Sequence, residues 1–432
     1  MTEPEASRLF TKLRTALAST VTSVLTVGFM AVPATPPTGT EWVANLAEAR
    51  PVNVMMTDGA SLLTGPLGLL TLPVHQLATP AATISPTLDA VTPPGTAATV
   101  DVRGLLSGGR WSEWVPSRSG TTTTLPSPTT TVQLRVVLTG TPGAPGPVVS
   151  GLRARAEDAT SMRADSAPSQ PDSYQVIATR EGLVSGRTAN GHQIRHNDLF
   201  VALPSRRALA DGSEYTVKVC SRSGYCAWAP VWDVGPWNIN DDYWCAERAE
   251  FDDLPQGVPQ AQAAFRDGYN GGKDGSGRKV GNPAGIDLSD GIYRTALGLT
   301  GNALVTVSYL WTGPLPLSTV DATGRKSARQ PDRSDTAFKA GFDIGIGIDI
   351  GGDSGDDSGS RGKERHDKRQ PSDARLVTVR TAPDSSAPAA GVAADSAGVP
   401  VQCATENGWL RIDPDAYVPA KNVILQSPID HC

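Results

Sequence analysis

The feature that most constrains the fold is a succession of short strand-like runs separated by stretches rich in glycine, proline and threonine. At residues 100–103 (VDVR) and 132–136 (VQLRV), apolar and polar side chains alternate, which places the apolar ones on one face of a strand. The chain contains 44 glycines and 35 prolines, a composition that favours many short strands and turns over long helices. We therefore predict a mainly β protein.

The length and the charge of the chain limit its organisation and its partners. A chain of 432 residues exceeds one ordinary hydrophobic core, so several domains are expected. The net charge is −6, and basic residues do not interleave with aromatic ones. Neither property indicates a nucleic-acid partner.

Residues 39–158 have the pattern of a β-sandwich. Strand-like runs occur at AATVDVRGLL, RWSEWV and TVQLRVVL, with turn-forming stretches between them. Trp111 and Trp114 fit either a sugar-contact loop or the core and rim of one hairpin. The polar segment 157–173 is expected to link this domain to the next.

A second β domain is predicted over residues 174–313, with strand candidates SYQVIAT, DLFVALP, EYTVKVC, WAPVWDV and LVTVSYLW. The run VPQAQAAFRDGYNGG predicts a helical insertion between these strands. A shorter helical turn is expected in DLSDGIYRTALGL, where Ser289 or Asp290 can accept hydrogen bonds from the free backbone N–H groups at its start.

Composition changes sharply over residues 314–372, where an acidic Gly/Asp/Ser run is followed by mixed charges and predicts a disordered linker. One imperfect repeat, GGDSGDDSG, does not predict a calcium site, and the sequence indicates no other metal and no cofactor. Short strand patterns return over residues 374–432, where Trp409 is expected in a core or a groove.

The N-terminus has the organisation of a secretory signal peptide. Basic residues precede an apolar stretch, and small residues at 32–34 predict a signal peptide of residues 1–34. A membrane anchor is the alternative, but hydroxyl side chains interrupt the apolar run and TPPTGT follows it. We expect a secreted protein, extracellular or associated with the cell wall, with no stable membrane span after cleavage.

Five cysteines are consistent with export. Cys220 and Cys226 flank SRSGY, a turn-like segment between two strand candidates, so they can close a hairpin. A bond between Cys403 and Cys432 would secure the C-terminal end of the chain. Cys245 is left over and must stay free or pair between chains, and no cysteine spacing supports a metal site instead.

Aromatic rings are concentrated beside carboxylates in residues 229–245, APVWDVGPWNINDDYWC. Such rings can fill a core between short strands, or they can line a cleft that holds a sugar. Trp232 and Asp233 are adjacent on a predicted strand, so their side chains point to opposite sides. If Asp233 faces a cleft, Trp232 belongs to the core.

The motifs FVALPS, VWDVGPWN and GIDLSDGIYRTALGL, in this order, resemble those of the double-psi β-barrel of rare lipoprotein A and expansin-related proteins. GPW at 235–237 and IDLS at 286–289 match closely, and the resemblance covers about a third of the chain. It implies a central six-stranded double-psi β-barrel. The segment LVTVRTAP with the later ENGWLRI and YVPA is similar to a bacterial SH3-type domain, as in secreted actinobacterial proteins, and implies a small C-terminal β-barrel that binds the cell wall.

Family members that cut glycans are lytic transglycosylases and related endoglucanases, in which a carboxyl group of raised pKa protonates the glycosidic oxygen. The resemblance implies Asp287 of IDLS as the first candidate acid and Asp233 of WDVGPW as the second. In the alternative, Asp287 caps the following helix and Asp233 holds the barrel turn through backbone N–H groups. The candidate substrate-binding residues are Trp237, Asn238, Asp241, Asp242, Tyr243 and Trp244.

The sequence departs from the family pattern at one position. Lytic members place a histidine just before a Leu-Pro turn, where this chain has Leu203, and His192 and His196 lie upstream and out of register. The first hypothesis is a secreted cell-envelope protein that binds and cleaves peptidoglycan or a related glycan. The alternatives are a non-catalytic cell-wall-binding or scaffold protein, an expansin-like protein that loosens polymers, and a secreted inhibitor.

Overall fold

The computed structural model describes residues 39–57, 60–65, 67–158, 170–324 and 375–432. The described chain is mainly β, which confirms the predicted fold class. The predicted signal peptide and most of the segment 157–173 lie outside the described residues. In the described ranges, none of the helices has the length and apolar character needed to cross a membrane.

The N-terminal domain is one connected sheet. In the described residues it contains eight antiparallel strands, with a separate hairpin of β3 and β4 beside it. The ten strands are β1 (Gly39–Val43), β2 (Arg50–Val52), β3 (Val54–Thr57), β4 (Ala60–Leu63), β5 (Leu67–Thr71), β6 (His75–Val91), β7 (Ala97–Gly104), β8 (Val115–Ser117), β9 (Thr123–Thr139) and β10 (Val148–Asp158). A 3₁₀ turn occupies Leu46–Glu48.

Residues from the long strands β6 and β9 and from their neighbours form the main core of this domain. Ile84, Val100, Val136 and Leu152, from β6, β7, β9 and β10, are all fully buried in this core. The strands of the predicted sandwich domain therefore form one connected sheet in the described residues. The predicted strand RWSEWV is wrong except at its last residue, because the segment before β8 forms a loop whose backbone bonds to neighbouring chain segments.

The second domain is a closed barrel. Its strands are β11 (Ser173–Arg180), β12 (Val201–Leu203), β13 (Thr216–Cys220), β14 (Cys226–Val234), β15 (Ala284–Leu288) and β16 (Ala303–Tyr309). Among the described residues these six strands follow the order β12-β15-β11-β16-β13-β14, and a parallel pairing of β12 with β14 closes the ring. Each of the five strand candidates of the sequence overlaps one of these strands, and β15 was not among the candidates.

The helical insertion lies between β14 and β15, as predicted. It consists of α1 (Gln260–Asp267) and a 3₁₀ turn at Tyr269–Gly272. The short helix after β15 is a π-helix at Gly291–Ala296. Its predicted cap is wrong, because Asp290 makes no capping bond and the Ser289 hydroxyl instead donates to the carbonyl of Asp198.

The remaining strands form the C-terminal unit. They are β17 (Leu317–Val320), β18 (Leu376–Arg380), β19 (Ala389–Ala394), β20 (Gly398–Pro400), β21 (Cys403–Ala404), β22 (Trp409–Asp413), β23 (Ala416–Pro419) and β24 (Val423–Ile424). Further 3₁₀ turns occupy Arg206–Ala208, Leu310–Thr312 and Ala420–Asn422.

Backbone hydrogen bonds join the C-terminal unit to the barrel. β14 pairs in parallel with β19, so the barrel sheet continues into this unit. β17 pairs with β20 and β24, although it falls in the predicted linker 314–372. The start of that linker is therefore corrected: residues 317–320 are apolar enough to join the core, whereas residues 325–374 lie outside the described part.

Both predicted disulfides are confirmed. Cys220 and Cys226 bridge the hairpin of β13 and β14, and Cys403 bonds to Cys432 near the end of the chain. Cys245 is a free thiol in the described structure. It lies 3.3 Å from a carboxylate oxygen of Glu113, and burial raises its pKa well above the ordinary value.

Buried charges join the N-terminal domain to the barrel. Arg135 of β9 donates to Asp101 of β7 at 2.8 Å, and Arg206 of the barrel domain lies 3.2 Å from the same carboxylate. Trp114, fully buried, packs its ring 4.2 Å from the guanidinium carbon of Arg135 and belongs to the barrel core. Burial opposes ionisation of Asp101, but Arg206 and Arg135 outweigh it and lower its pKa.

Asp101→Asn is expected to destabilise the protein by about 3–5 kcal/mol, because two guanidinium groups would lose their only shared carboxylate in a buried site. Urea unfolding followed by tryptophan fluorescence measures this change. The matched control is Asp89→Asn, whose partner Arg153 is half-exposed at 3.7 Å; a loss below about 1 kcal/mol is expected there. Equal losses in both variants would contradict a structural role for the junction.

Candidate functional site

Three carboxyl groups gather where the C-terminal ends of three barrel strands meet. Asp287 lies near the end of β15, Asp233 near the end of β14, and Glu181 directly follows β11. The strand register brings the aspartates together, because Ala202 of β12 lies opposite both Asp233 and Asp287. All three side chains are half-buried. We call Glu181, Asp233 and Asp287 the carboxyl cluster.

Asp233 is held by backbone donors. Its Oδ1 accepts hydrogen bonds from the amide N–H groups of Ala189 and Val234, each at 2.8 Å. These bonds favour the ionised form, but desolvation dominates and raises the pKa of Asp233. The structural alternative of the sequence analysis, a carboxylate that ties the turn, thus describes part of what Asp233 does.

Asp287 does not cap the following helix. Its Oδ1 accepts a hydrogen bond from the hydroxyl of Thr179, which lies opposite it on the parallel strand β11. Burial raises the pKa of Asp287 to about 6, and the negative charge of Asp233 adds to this effect. A carboxyl group with such a pKa can both give and take a proton near neutral pH.

Glu181 is the member that the sequence analysis missed. Burial raises its pKa to about 10, and the charge and hydrogen bond of Asp233 and the charge of Asp287 act in the same direction. At neutral pH Glu181 therefore keeps its proton next to Asp233. The sequence signal was its position after strand β11, since β11 runs parallel to the strand that carries IDLS.

A residue of the N-terminal domain supports this site. The amide of Asn53 donates to the carbonyl oxygens of Thr188 (2.9 Å) and Ala189 (3.2 Å). Ala189 is the residue whose N–H binds Asp233. In the same loop Gly191 has φ +91° and a Cβ there would lie 2.8 Å from Val52, so the close approach of the two domains requires glycine.

The candidate substrate-binding residues that follow β14 lie mostly inside the protein. Five of the six candidates are buried and cannot present a face to a sugar, which corrects the prediction that they line a cleft. They are Asn238, Asp241, Asp242, Tyr243 and Trp244.

Each buried member has an internal partner. Asp241 pairs with Arg248, and Asp242 accepts from Arg207 at 2.6 Å. The Tyr243 hydroxyl donates to the carbonyl of Gly285. These contacts fix the loop after β14 to the barrel.

Further buried contacts complete the correction. Asn238 donates to Gln260 of the insertion, and the indole N–H of Trp244 donates to Glu113 of the N-terminal domain at 2.7 Å. Trp237 alone of the predicted sugar-contact set is partly exposed. Its indole N–H donates to Asn282 at 3.0 Å, and its ring packs against the helical insertion.

His192 does not contact the carboxyl cluster, as its position upstream and out of register with the family motif suggested. Its Nε2 is 2.7 Å from a carboxylate oxygen of Asp198, and its ring lies 4.6 Å from that of Trp232. Trp232 is half-buried rather than part of the closed core. In the described ranges, no group of three or more His, Cys, Asp or Glu side chains is arranged to hold a metal ion.

A family model matches the barrel. It is described as a domain of unknown function (DUF8814) and covers residues 172–308, which include all three members of the carboxyl cluster. Comparison with curated proteins gives no match.

Glu181→Gln is expected to stabilise the protein above pH 4.5. The unfolded chain releases the Glu181 proton near the ordinary value of 4.5, whereas the folded chain holds it to about pH 10. Stability therefore falls as pH rises through this window, and glutamine, which can still donate to Asp233, removes that loss. We expect a gain of about 1–3 kcal/mol at pH 8 and little difference at pH 4.

Urea unfolding at both pH values measures the gain. Glu247→Gln, at an exposed glutamate, is the matched control and should change stability at neither pH. A variant at Glu181 that is less stable than the wild type at pH 8 would show that the ionised carboxylate is needed by the fold.

Asn53→Gly is expected to loosen the loop that donates to Asp233. Asn53 has φ +53°, which glycine adopts without strain, so the substitution removes the two amide bonds without straining the backbone. Hydrogen exchange at the Ala189 amide should become about tenfold faster. Asn270→Gly, at φ +50° and with two comparable carbonyl bonds in the insertion, should leave that amide unchanged.

Proposed function

We propose that the protein is a secreted cell-envelope protein whose barrel cleaves a glycan of the peptidoglycan type by carboxyl-group catalysis. One observation carries this proposal: the carboxyl cluster joins a neutral Glu181 with two aspartates of raised pKa where the C-terminal ends of three barrel strands meet. Grouped, desolvated carboxyl groups are unfavourable for folding, and they are characteristic of sites that transfer protons.

The pKa of about 6 makes Asp287 the best match for a general acid. It donates its proton to the glycosidic oxygen while the bond from that oxygen to the anomeric carbon breaks. The Asp287 carboxylate then takes a proton from the attacking hydroxyl group, which belongs to water or to the sugar itself, and is restored.

The other two carboxyl groups determine the protonation state of Asp287. The shared proton of Glu181 and Asp233 keeps one negative charge next to Asp287, which supports its protonation before the reaction. The same charge stabilises a developing positive charge on the sugar ring. The envelope location and the glycan rest on the predicted signal peptide and on the resemblance to double-psi barrels with SH3-type domains.

A binding protein without cleavage is the second candidate. It is favoured by the burial of most predicted sugar-contact side chains, including Tyr243 and Trp244, which leaves Trp237 as the exposed ring of that set. In that case the carboxyl cluster holds strand ends together, and the protein binds wall polymers without changing them.

Asp287→Asn is expected to lower the release of soluble fragments from purified peptidoglycan sacculi by at least about 100-fold, because the amide cannot donate the proton. Chromatography and mass spectrometry of the soluble fraction measure release. Glu181→Gln should reduce release less, and Glu247→Gln should leave it unchanged. Sacculi that sediment the wild-type protein but release no fragments would favour the binding protein.

A further inference from the structure

A cavity of about 570 Å³ lies where the barrel meets the C-terminal unit. Its lining includes Trp232, His192 and Arg195 from the barrel domain, with Arg375 and Asp395 from the C-terminal unit. Its volume is within the range of about 300–1,000 Å³ that is usual for small-molecule sites. Trp232 directly precedes Asp233 on β14, at a register irregularity in the pairing with β12, so the cavity and the carboxyl cluster adjoin the same strand.

The aromatic wall of this cavity is held in place. The Trp232 ring packs against Phe200 at 5.8 Å with nearly parallel planes, and His192 lies 4.6 Å from it. Asp198 fixes the orientation of His192 through a contact of 2.7 Å to Nε2. A half-exposed indole fixed by two other rings is a suitable surface for the apolar face of a sugar ring.

The carboxylates of the cavity are already used by the protein. Asp198 accepts from His192 and from the backbone N–H of Arg195, and Asp395 accepts from the backbone N–H of Ala322 at 2.9 Å. In the part of the chain that the structure describes, neither Arg195 nor Arg375 forms a salt bridge. The two guanidinium groups therefore line the cavity without a carboxylate partner in the described residues.

We propose that this cavity, defined by Trp232, Arg195 and Arg375, binds a saccharide that carries a carboxylate. The sugar ring packs on Trp232 and the carboxylate pairs with the guanidinium groups, which suit its planar geometry. That the saccharide is part of a longer glycan rests on the proposed function. The site holds the polymer at the junction of the barrel and the C-terminal unit, separately from the cleaving residues.

Calorimetric titration with matched sugars tests the proposal. N-acetylmuramic acid is compared with N-acetylglucosamine, and glucuronic acid with glucose, so that each pair contrasts an acidic sugar with a neutral one. We expect the acidic member of each pair to bind at least about fivefold more tightly, and its affinity to fall when salt is raised from 0.05 to 0.5 M.

Variants assign the binding to this cavity. Arg195→Gln with Arg375→Gln should weaken acidic sugars about tenfold, and Trp232→Phe should weaken all sugars that bind. Arg222→Gln, at an exposed arginine elsewhere on the barrel, is the matched control and should change nothing. Asp287→Asn should retain full binding, so a failure of the proposed catalysis leaves this result intact.

Three results would overturn the proposal: no heat from acidic sugars at 10 mM, equal affinity for the members of each pair, or unchanged binding by the double arginine variant. Circular dichroism of each variant, compared with the wild type, separates loss of the site from loss of the fold.

Discussion

Closure of the barrel by β12 is the constraint on which the candidate site depends. This strand of three residues pairs with β14 on one side and with β15 on the other, so Ala202 stands opposite both Asp233 and Asp287. Without it, both partner strands would have unpaired edges and their carboxyl groups would have no fixed relation. The hydrogen bonds that close the barrel therefore also bring Asp233 and Asp287 together.

The surrounding structure stabilises the carboxyl cluster, which would be unfavourable for folding by itself. Three carboxyl groups share a poorly solvated space, yet backbone N–H groups hold Asp233 and Thr179 holds Asp287. The loop that supplies one donor is fixed by Asn53 of another domain. Trp114 extends the barrel core into the N-terminal domain, and the core continues to the C-terminal unit, so burial of apolar surface stabilises all three together.

The sequence predicted what depends on local pattern. Strand-like runs identified five of the six barrel strands, a turn between Cys220 and Cys226 identified a disulfide, and two motifs identified the aspartate pair. Glu181 could not be chosen in this way, since its environment depends on which strands are neighbours. Burial of Trp244 depends on Glu113, which lies 131 positions away in the chain, and no local pattern reports such a partner.

The pairing of β17 changes how the segment 325–374 is placed in the domain organisation. Gly324 and Leu376, which flank it, line one cavity of the C-terminal unit, so the chain leaves and re-enters the same module at neighbouring points. The segment is therefore an insertion within a module and not a tether between modules.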